Sequence, residues 1–306
     1  MREKNSFDNF GASAIGLSGV VLFSAKSVFA KMAYEYRVDP ISVLYMRMLF
    51  SFPLVLLAGY FYEKTRKTAS VDWKDIAKVA AISVLGYYIS ALFNFIGLTY
   101  IEASIERLVL FIYPTMVIFL SMIFLKKPVT GKQVLAISIS YLGLIIAFAD
   151  KLMVHNNAGS WIGVILILLS SFTYAIFLTV SDNLIQRVGS FRFSTVATLT
   201  MCVCMIAHAA FMGKTNISGY NSHVIWYCIL MAVLSTVIPV YMFNYSMSRL
   251  GASNVSIISC LGPVGTLILS AILLNETITL WQIAGTIVVM GGILVVNLEK
   301  ESKTEK

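Results

Sequence analysis

Charged residues are scarce in this chain of 306 residues: Asp, Glu, Lys and Arg make up 12% of it, against 58% hydrophobic residues and a mean hydropathy of +0.83. Soluble domains carry about a quarter charged residues, so the scarcity excludes a water-soluble fold. It equally excludes a disordered chain, which needs far more polar sequence to stay solvated. Cysteine is nearly missing. The four present, Cys202, Cys204, Cys228 and Cys260, all fall in apolar stretches, where a thiol behaves as a small hydrophobe, and the Cys-x-Cys pair lacks the companions a metal site needs. Histidine is limited to His155, His208 and His223, far apart on different segments, so no metal set is expected. His-Glu-x-x-His, Gly-x-Ser-x-Gly and the Gly-x-x-x-x-Gly-Lys-Ser/Thr phosphate loop do not occur, which weighs against an intramembrane enzyme and excludes ATP drive within this chain. No cofactor and no catalytic residue is expected. The formal charge of +8 sits in short segments between apolar runs and reads as a topology signal, with no nucleic-acid surface.

What is abundant is long apolar sequence. Windows of about 20 mostly apolar residues fall at Ala12 to Tyr34, Ile41 to Phe61, Ile76 to Leu98, Ser104 to Leu125, Gln133 to Ala149, Trp161 to Ser181, Phe193 to Gly213, His223 to Tyr245, Val255 to Leu274 and Leu280 to Val296. They are too long and too uniformly apolar for barrel strands, and backbone in lipid must be satisfied within the segment. The expected fold class is an all-α polytopic membrane protein with ten transmembrane helices. The start, Met1 to Phe10, mixes basic and acidic residues and reads as the lead-in to a retained first helix, not a cleavable signal. With the N-terminus inside, sixteen Lys and Arg fall on the cytoplasmic side and only Arg37, Arg107, Lys151 and Lys214 outside, so both termini are expected in the cytoplasm. Trp161, Trp226 and Trp281 lie at span ends, as interfacial anchors do.

Sliding the chain by 149 residues superposes Ala103-Ser104 on Ala252-Ser253, Pro114 on Pro263, Leu120-Ser121 on Leu269-Ser270, Thr130 on Thr279, Gln133 on Gln282 and Gly143 on Gly292; with Ile123 and Leu125 this makes ten identities in 41 positions. Phe93-Asn94-Phe95 likewise resembles Phe243-Asn244-Tyr245, one residue out of register. The chain therefore reads as two five-helix units, 1–150 and 151–306. Five is odd, so the second unit enters the membrane with opposite polarity, and the pair forms the inverted repeat from which alternating-access carriers are commonly built. A carrier is favoured over a channel, a membrane scaffold or an enzyme.

These residues resemble the drug/metabolite transporter superfamily, specifically its EamA-type ten-helix permeases. The resemblance rests on the small-residue pairs Ala103-Ser104 and Ala252-Ser253, the prolines ten residues after each Ser (Pro114, Pro263), the turn Leu274 to Glu276, and the Gln and Gly of the last stretch in each half. The first half departs from it, with Lys126-Lys127-Pro128 where the second has Asn275-Glu276-Thr277. The resemblance implies a permease for small metabolites such as amino acids, with export favoured, housed in a bacterial plasma (inner) membrane. It also implies a central cavity between the first four helices of each half, with the fifth and tenth at the side. The alternative within transporters is a nucleotide-sugar or phosphate-ester exchanger of related fold. Substrate identity, proton coupling and oligomeric state stay open.

A basic residue near the centre of a span costs about 2.5 to 3.5 kcal/mol on insertion scales. Lys26 lies roughly 20 Å along the first stretch and Arg47 about 10 Å into the second, so both are candidate cavity residues, whereas Lys31 is near enough to an end to snorkel. Glu102 and Glu106 are four apart and share a face at the start of the fourth stretch. Glu106 is expected to pair with Arg47 or Lys26, or to carry a proton. Pro114 and Pro263 each free a carbonyl about a turn upstream, and interrupted helices in matching positions point to a carrier's site. Tyr113, Asn94 and Asn244 are polar groups at comparable places. The candidate substrate-binding set is therefore Lys26, Arg47, Asn94, Glu106, Tyr113, Pro114, Asn244 and Pro263.

Overall fold

Apolar runs of this length can satisfy their backbone in lipid by coiling, and the computed structural model is helical over nearly all the described residues of those runs. It describes residues 2–65, 71–110, 112–125, 131, 134–135, 138–139, 141–143, 145–146, 158–243, 245–246 and 262–291. In chain order the helices are α1 (Arg2–Tyr34), α2 (Pro40–Thr65), α3 (Trp73–Gly97), α4 (Ala103–Leu110), α5 (Tyr113–Leu125), α6 (Ala158–Val188), α7 (Ser190–Phe211), α8 (Ser222–Phe243), α9 (Gly262–Leu273) and α10 (Leu280–Gly291). Among the described residues there is no β-strand. Six helices are long and apolar enough to cross a membrane, those containing Gly11–Tyr34, Pro40–Thr65, Trp73–Gly97, Ser160–Ser181, Ser190–Phe211 and Ser222–Phe243. Eight of the 17 residues of the expected stretch 133–149, together with residues 255–261, lie outside the described residues.

Local sequence sets the helix ends. Asp39 caps α2, accepting from the backbone N–H groups of Ile41 and Ser42 at 3.1 Å each, while Pro40 supplies a φ already suited to the first helical position. Asp72 and Asn221 cap α3 and α8 in the same way. Between α6 and α7 the chain turns on Gly189 alone, at φ +85°, a conformation that carries little steric cost only without a Cβ. Both helices thus run longer than their apolar cores, and the connection of some eleven residues implied by the apolar windows shrinks to one residue.

Two further departures from regular helix lie inside α3 and α8. Val84–Ile89 and Val233–Val237 are π-helical, and the two segments begin 149 positions apart, the offset at which the sequence repeats. The core joins α1, α2, α3, α7 and α8 through Val28, Leu44, Met46, Met48, Phe95, Met205 and Met231. α3 packs on α6, α1 on α9, and α2 on both α7 and α8. The other faces leave large apolar side chains exposed, among them Leu56, Leu57, Phe61, Ile165, Val203 and Ile287. That distribution suits a hydrocarbon surround, since each crossing helix buries at most half of its most apolar window. Trp161, Trp226 and Trp281 are exposed near helix ends, where the sequence puts interfacial anchors.

Candidate functional site

α1 brings Lys26 and Ser27 to the middle of the bundle, α3 brings Asn94, and α4 brings Glu106. Lys26 Nζ donates to Asn94 Oδ1 at 2.7 Å and to Glu106 Oε1 at 3.4 Å. Asn94 Nδ2 donates to the same Glu106 oxygen at 2.5 Å, and Ser27 Oγ donates to Glu106 Oε2 at 2.5 Å. Glu106 is fully buried and Lys26 is 5% exposed. Two charges taken out of water persist only with close pairing and satisfied hydrogen bonds, and here both carboxylate oxygens and the ammonium have partners. Of the alternatives open at sequence level, Glu106 takes Lys26 as its partner, with no direct link to Arg47.

Arg47 approaches from α2. Its Nε donates to Thr236 Oγ1 at 2.8 Å, in the π-helical segment of α8, and its guanidinium carbon sits 5.4 Å from the centroid of Phe95. The same ring lies 5.9 Å from Lys26 Nζ, so one aromatic side chain is shared by two cations. The π turn does two jobs here. Thr236 reaches Arg47 while Ser235 donates to the Leu22 carbonyl of α1 at 2.9 Å, tying α8 to both α1 and α2.

Arg107 is the residue that sequence reasoning missed. Counted as an outer-loop charge from its place near the start of an apolar stretch, it is 4% exposed inside α4, with its guanidinium carbon 4.9 Å from the Phe23 centroid. Lys26 Nζ is 5.8 Å from that same ring. Phe23 was equally unmarked by the sequence, because a lone Phe in an apolar helix carries no signal of what it faces, and Phe95 stood out only as part of the repeated Phe93-Asn94-Phe95 motif. Glu102 parts company with Glu106: it lies before α4 and meets Gln282 Nε2 at 3.5 Å. Lys31 is partly exposed near the end of α1.

The chain breaks between α4 and α5, just before Pro114. Proline has no N–H to give the Leu110 carbonyl, and Ser171 Oγ of α6 lies 3.2 Å from that carbonyl, with the Ile167 carbonyl of its own helix nearer at 2.9 Å. The expected free carbonyl thus faces a hydroxyl of α6, which it shares with α6's own backbone. Tyr113 makes an edge contact with Tyr174 at 5.2 Å between centroids. Pro263 is buried in the first turn of α9, where the Gly262 carbonyl accepts from Ser24 Oγ at 3.1 Å, joining α9 to α1. Asn244 lies outside the described residues. Among the described residues no group of three or more His, Cys, Asp or Glu is placed to hold a metal; Cys202 and Cys228 are buried in the core, and Cys260 is outside the description.

A further polar contact joins the start of α4 to the turn before α10. Glu276 accepts from the backbone N–H of Ala103 at 3.0 Å and of Ser104 at 3.4 Å, and from Ser104 Oγ at 3.0 Å. A carboxylate is favoured at a helix N-terminus by both the free N–H groups and the dipole. Here it is supplied from the other end of the sequence, so the Ala-Ser pair and the Glu turn of the repeat motif meet.

Known proteins give this arrangement a family. The sequence pattern of the EamA-like transporter family matches residues 10–149 and again 161–298. The chain is 29% identical over 276 residues to the uncharacterized transporter YcbK of Bacillus subtilis strain 168, covering 88% of this chain and 87% of that one. It is 25% identical over 273 residues to an uncharacterized transporter of Archaeoglobus fulgidus, covering 88% and 92%. A solved crystal structure, described only as that of a protein, shares the fold with a TM-score of 0.66 at 13% identity, over 94% of this chain and 96% of its own. Apolar membrane-length helices, a buried ionic centre and a family pattern matched over nearly the whole sequence agree: this chain belongs to the EamA-like transporter family.

Proposed function

We propose that the chain is a secondary transporter that carries a small polar metabolite, an amino acid or related organic solute, across the plasma (inner) membrane, with export the favoured direction. Two inverted five-helix halves, 1–150 and 151–306, rock about a midplane site and expose it to each side in turn. Both termini face the cytoplasm, and protons are the candidate coupling ion. The observation that carries this reading is the buried centre in which α1, α3 and α4 hold Lys26, Asn94 and Glu106 together. Ionisable groups deep in membrane helices are costly and mark substrate or ion pathways. Arg47 supports the reading from beside Phe95, through its bond to Thr236 of the second half. Tyr113, Pro114, Asn244 and Pro263 complete the proposed cargo path. A phosphate-ester exchanger is the second reading, favoured by the number of buried cations.

The test compares medium and cells expressing the wild type or Lys26→Ala at matched membrane levels, by untargeted mass spectrometry. A metabolite class should shift across the membrane with the wild type and not with the variant. If both shift the same compounds, Lys26 has no place in the cargo path. If neither shifts any, and counterflow in reconstituted vesicles is absent too, the carrier reading fails.

A further inference from the structure

We propose that Arg107 is the residue that receives the cargo, and that the cargo is a small organic anion whose carboxylate or phosphate group docks on its guanidinium. The proposal rests on the transporter reading and narrows it. Four charged residues are buried among the described residues: Lys26, Arg47 and Arg107 against Glu106 alone. Glu106 is hydrogen-bonded to Lys26, Asn94 and Ser27 and acts on Arg107 only through space, which leaves two guanidinium groups without a directly bonded carboxylate among the described residues. The sequence contains no reserve. Across all ten apolar stretches Glu106 is the sole acidic residue, so no other membrane-embedded carboxylate of this chain is available to them.

The two arginines differ in how far they are satisfied. Arg47 uses Nε on Thr236. Arg107 makes no hydrogen bond among the described residues, and its Nε is sealed from solvent with no acceptor in reach. A guanidinium offers five N–H donors in a rigid fork that matches a carboxylate or phosphate edge. Burying such a group without acceptors is strongly unfavourable, and the face of Phe23 offsets only part of that cost. An incoming oxyanion supplies both the missing charge and the missing acceptors. Around it, Phe23 lies beside both Arg107 and Lys26, at 4.9 and 5.8 Å from its centroid, and Glu106, Tyr113 and Tyr174, the two tyrosines in edge contact with each other, are close enough to act electrostatically on the guanidinium. Lys26 and Glu106 then form the neutral, fully bonded floor beside the docking group.

The test uses the full chain in proteoliposomes loaded with a metabolite extract of the expression host, split by anion exchange at neutral pH into retained and unretained pools. Efflux is read by mass spectrometry against vesicles without protein. The wild type and a Lys78→Gln control, altered at an exposed residue, should release compounds of the retained pool. Arg107→Gln should fall to background, and Arg107→Lys should raise the half-saturating concentration by about tenfold or more while largely sparing the maximal rate, as loss of a binding fork does. Treating the retained pool with alkaline phosphatase before loading separates the two sources: release that disappears identifies a phosphate ester, and release that persists identifies a carboxylate. Release confined to the unretained pool overturns the proposal and leaves the transporter reading standing. So does folded Arg107→Gln with wild-type efflux. Should Arg107→Gln fail to elute as a folded species, Arg107→Lys decides, and an unchanged half-saturating concentration overturns the proposal. If the wild type releases nothing from either pool, the transporter reading fails and this proposal with it.

Discussion

Single residues carry the electrostatics of this protein. Removing one partner of a buried ion pair leaves the other charge stranded, at a cost of about 3 to 5 kcal/mol, whereas replacing both is often close to neutral. Lys26→Met should therefore lower the thermal unfolding temperature of the purified protein markedly, and Lys26→Met with Glu106→Gln should recover much of the loss. A double variant as unstable as the single one would show that the pair is not what holds α1 to α4. Asp39 gives a pH signature outside the membrane-spanning segments. Burial pushes its carboxyl up, but hydrogen bonds from Lys214 and from the Ser42 hydroxyl and amide outweigh this and hold it below the usual carboxylate range. Because the folded state has the lower pKa, the stabilisation is complete above the usual carboxylate range and is lost as pH falls through the folded value. Asp39→Asn should thus be less stable than the wild type near neutrality, with the gap narrowing below about pH 4. A gap independent of pH would rule out this ion pair as its source. At this scale the sequence was readable where cost announces itself: Lys26, Asn94 and Glu106 meet, each flagged as polar within an apolar run. Arg107 escaped because a charge near a window's edge looks like loop until the packing shows that the whole of Ala103–Val109 is buried.

Elements are held together by close approach. An added Cβ at Gly86 would come within 2.1 Å of Phe177 Cβ, in the π-helical turn of α3 where that helix crosses α6. Gly86→Ala should destabilise the protein by about 1 to 3 kcal/mol, the usual cost of overpacking, and the unfolding temperature would report it. Unchanged stability would mean that the crossing can widen freely. Gly97 and Gly163 make a second close contact on the same pair of helices, each within 3.0 Å of the other's carbonyl once given a Cβ, in keeping with small residues where membrane helices meet. Gly143, which the repeat pairs with Gly292, would meet Val289 N at 2.7 Å and the Gly285 carbonyl, so the last helical stretches of the two halves touch. Helix locations followed from hydropathy. The split of the fourth stretch at Ile112 was signalled by Pro114, but the π turns were not, since both segments read as ordinary apolar helix and an extra residue per turn leaves no compositional mark.

For the whole molecule, the informative contacts are those that join distant parts of the chain at one end of the bundle. Lys214 reaches Asp39 at 2.8 Å, Tyr220 reaches Ser42 at 2.7 Å, and Glu276 clasps Ala103 and Ser104. In the rocking scheme proposed above, such contacts must break whenever that end opens. Glu276→Gln keeps an acceptor but removes the charge favoured at the start of α4, a loss of about 1 kcal/mol, enough for roughly a fivefold shift between two states. Spin labels at the exposed positions Tyr100 and Leu280 of a cysteine-free protein should show a longer-distance population in Glu276→Gln. An identical distance distribution would argue against a latch. At the opposite end Arg192 pairs with both oxygens of Glu63, joining the ends of α2 and α7.

Composition alone made this a membrane protein, because so apolar a chain has no soluble solution. Hydropathy placed the six helices that are long enough to cross a membrane, because lipid forces backbone hydrogen bonds to close within each segment. The duplicated motif and the resemblance it carries were likewise legible, being patterns along one dimension. The tertiary structure decided which polar groups meet. Whether Glu106 takes Lys26 or Arg47, whether Ser171 comes to lie beside the carbonyl left by Pro114, and whether Arg107 faces water or Phe23 depend on helix rotation and crossing. Those are set by side chains far apart in sequence, such as Gly86 against Phe177 and Gly97 against Gly163, and no local pattern encodes them.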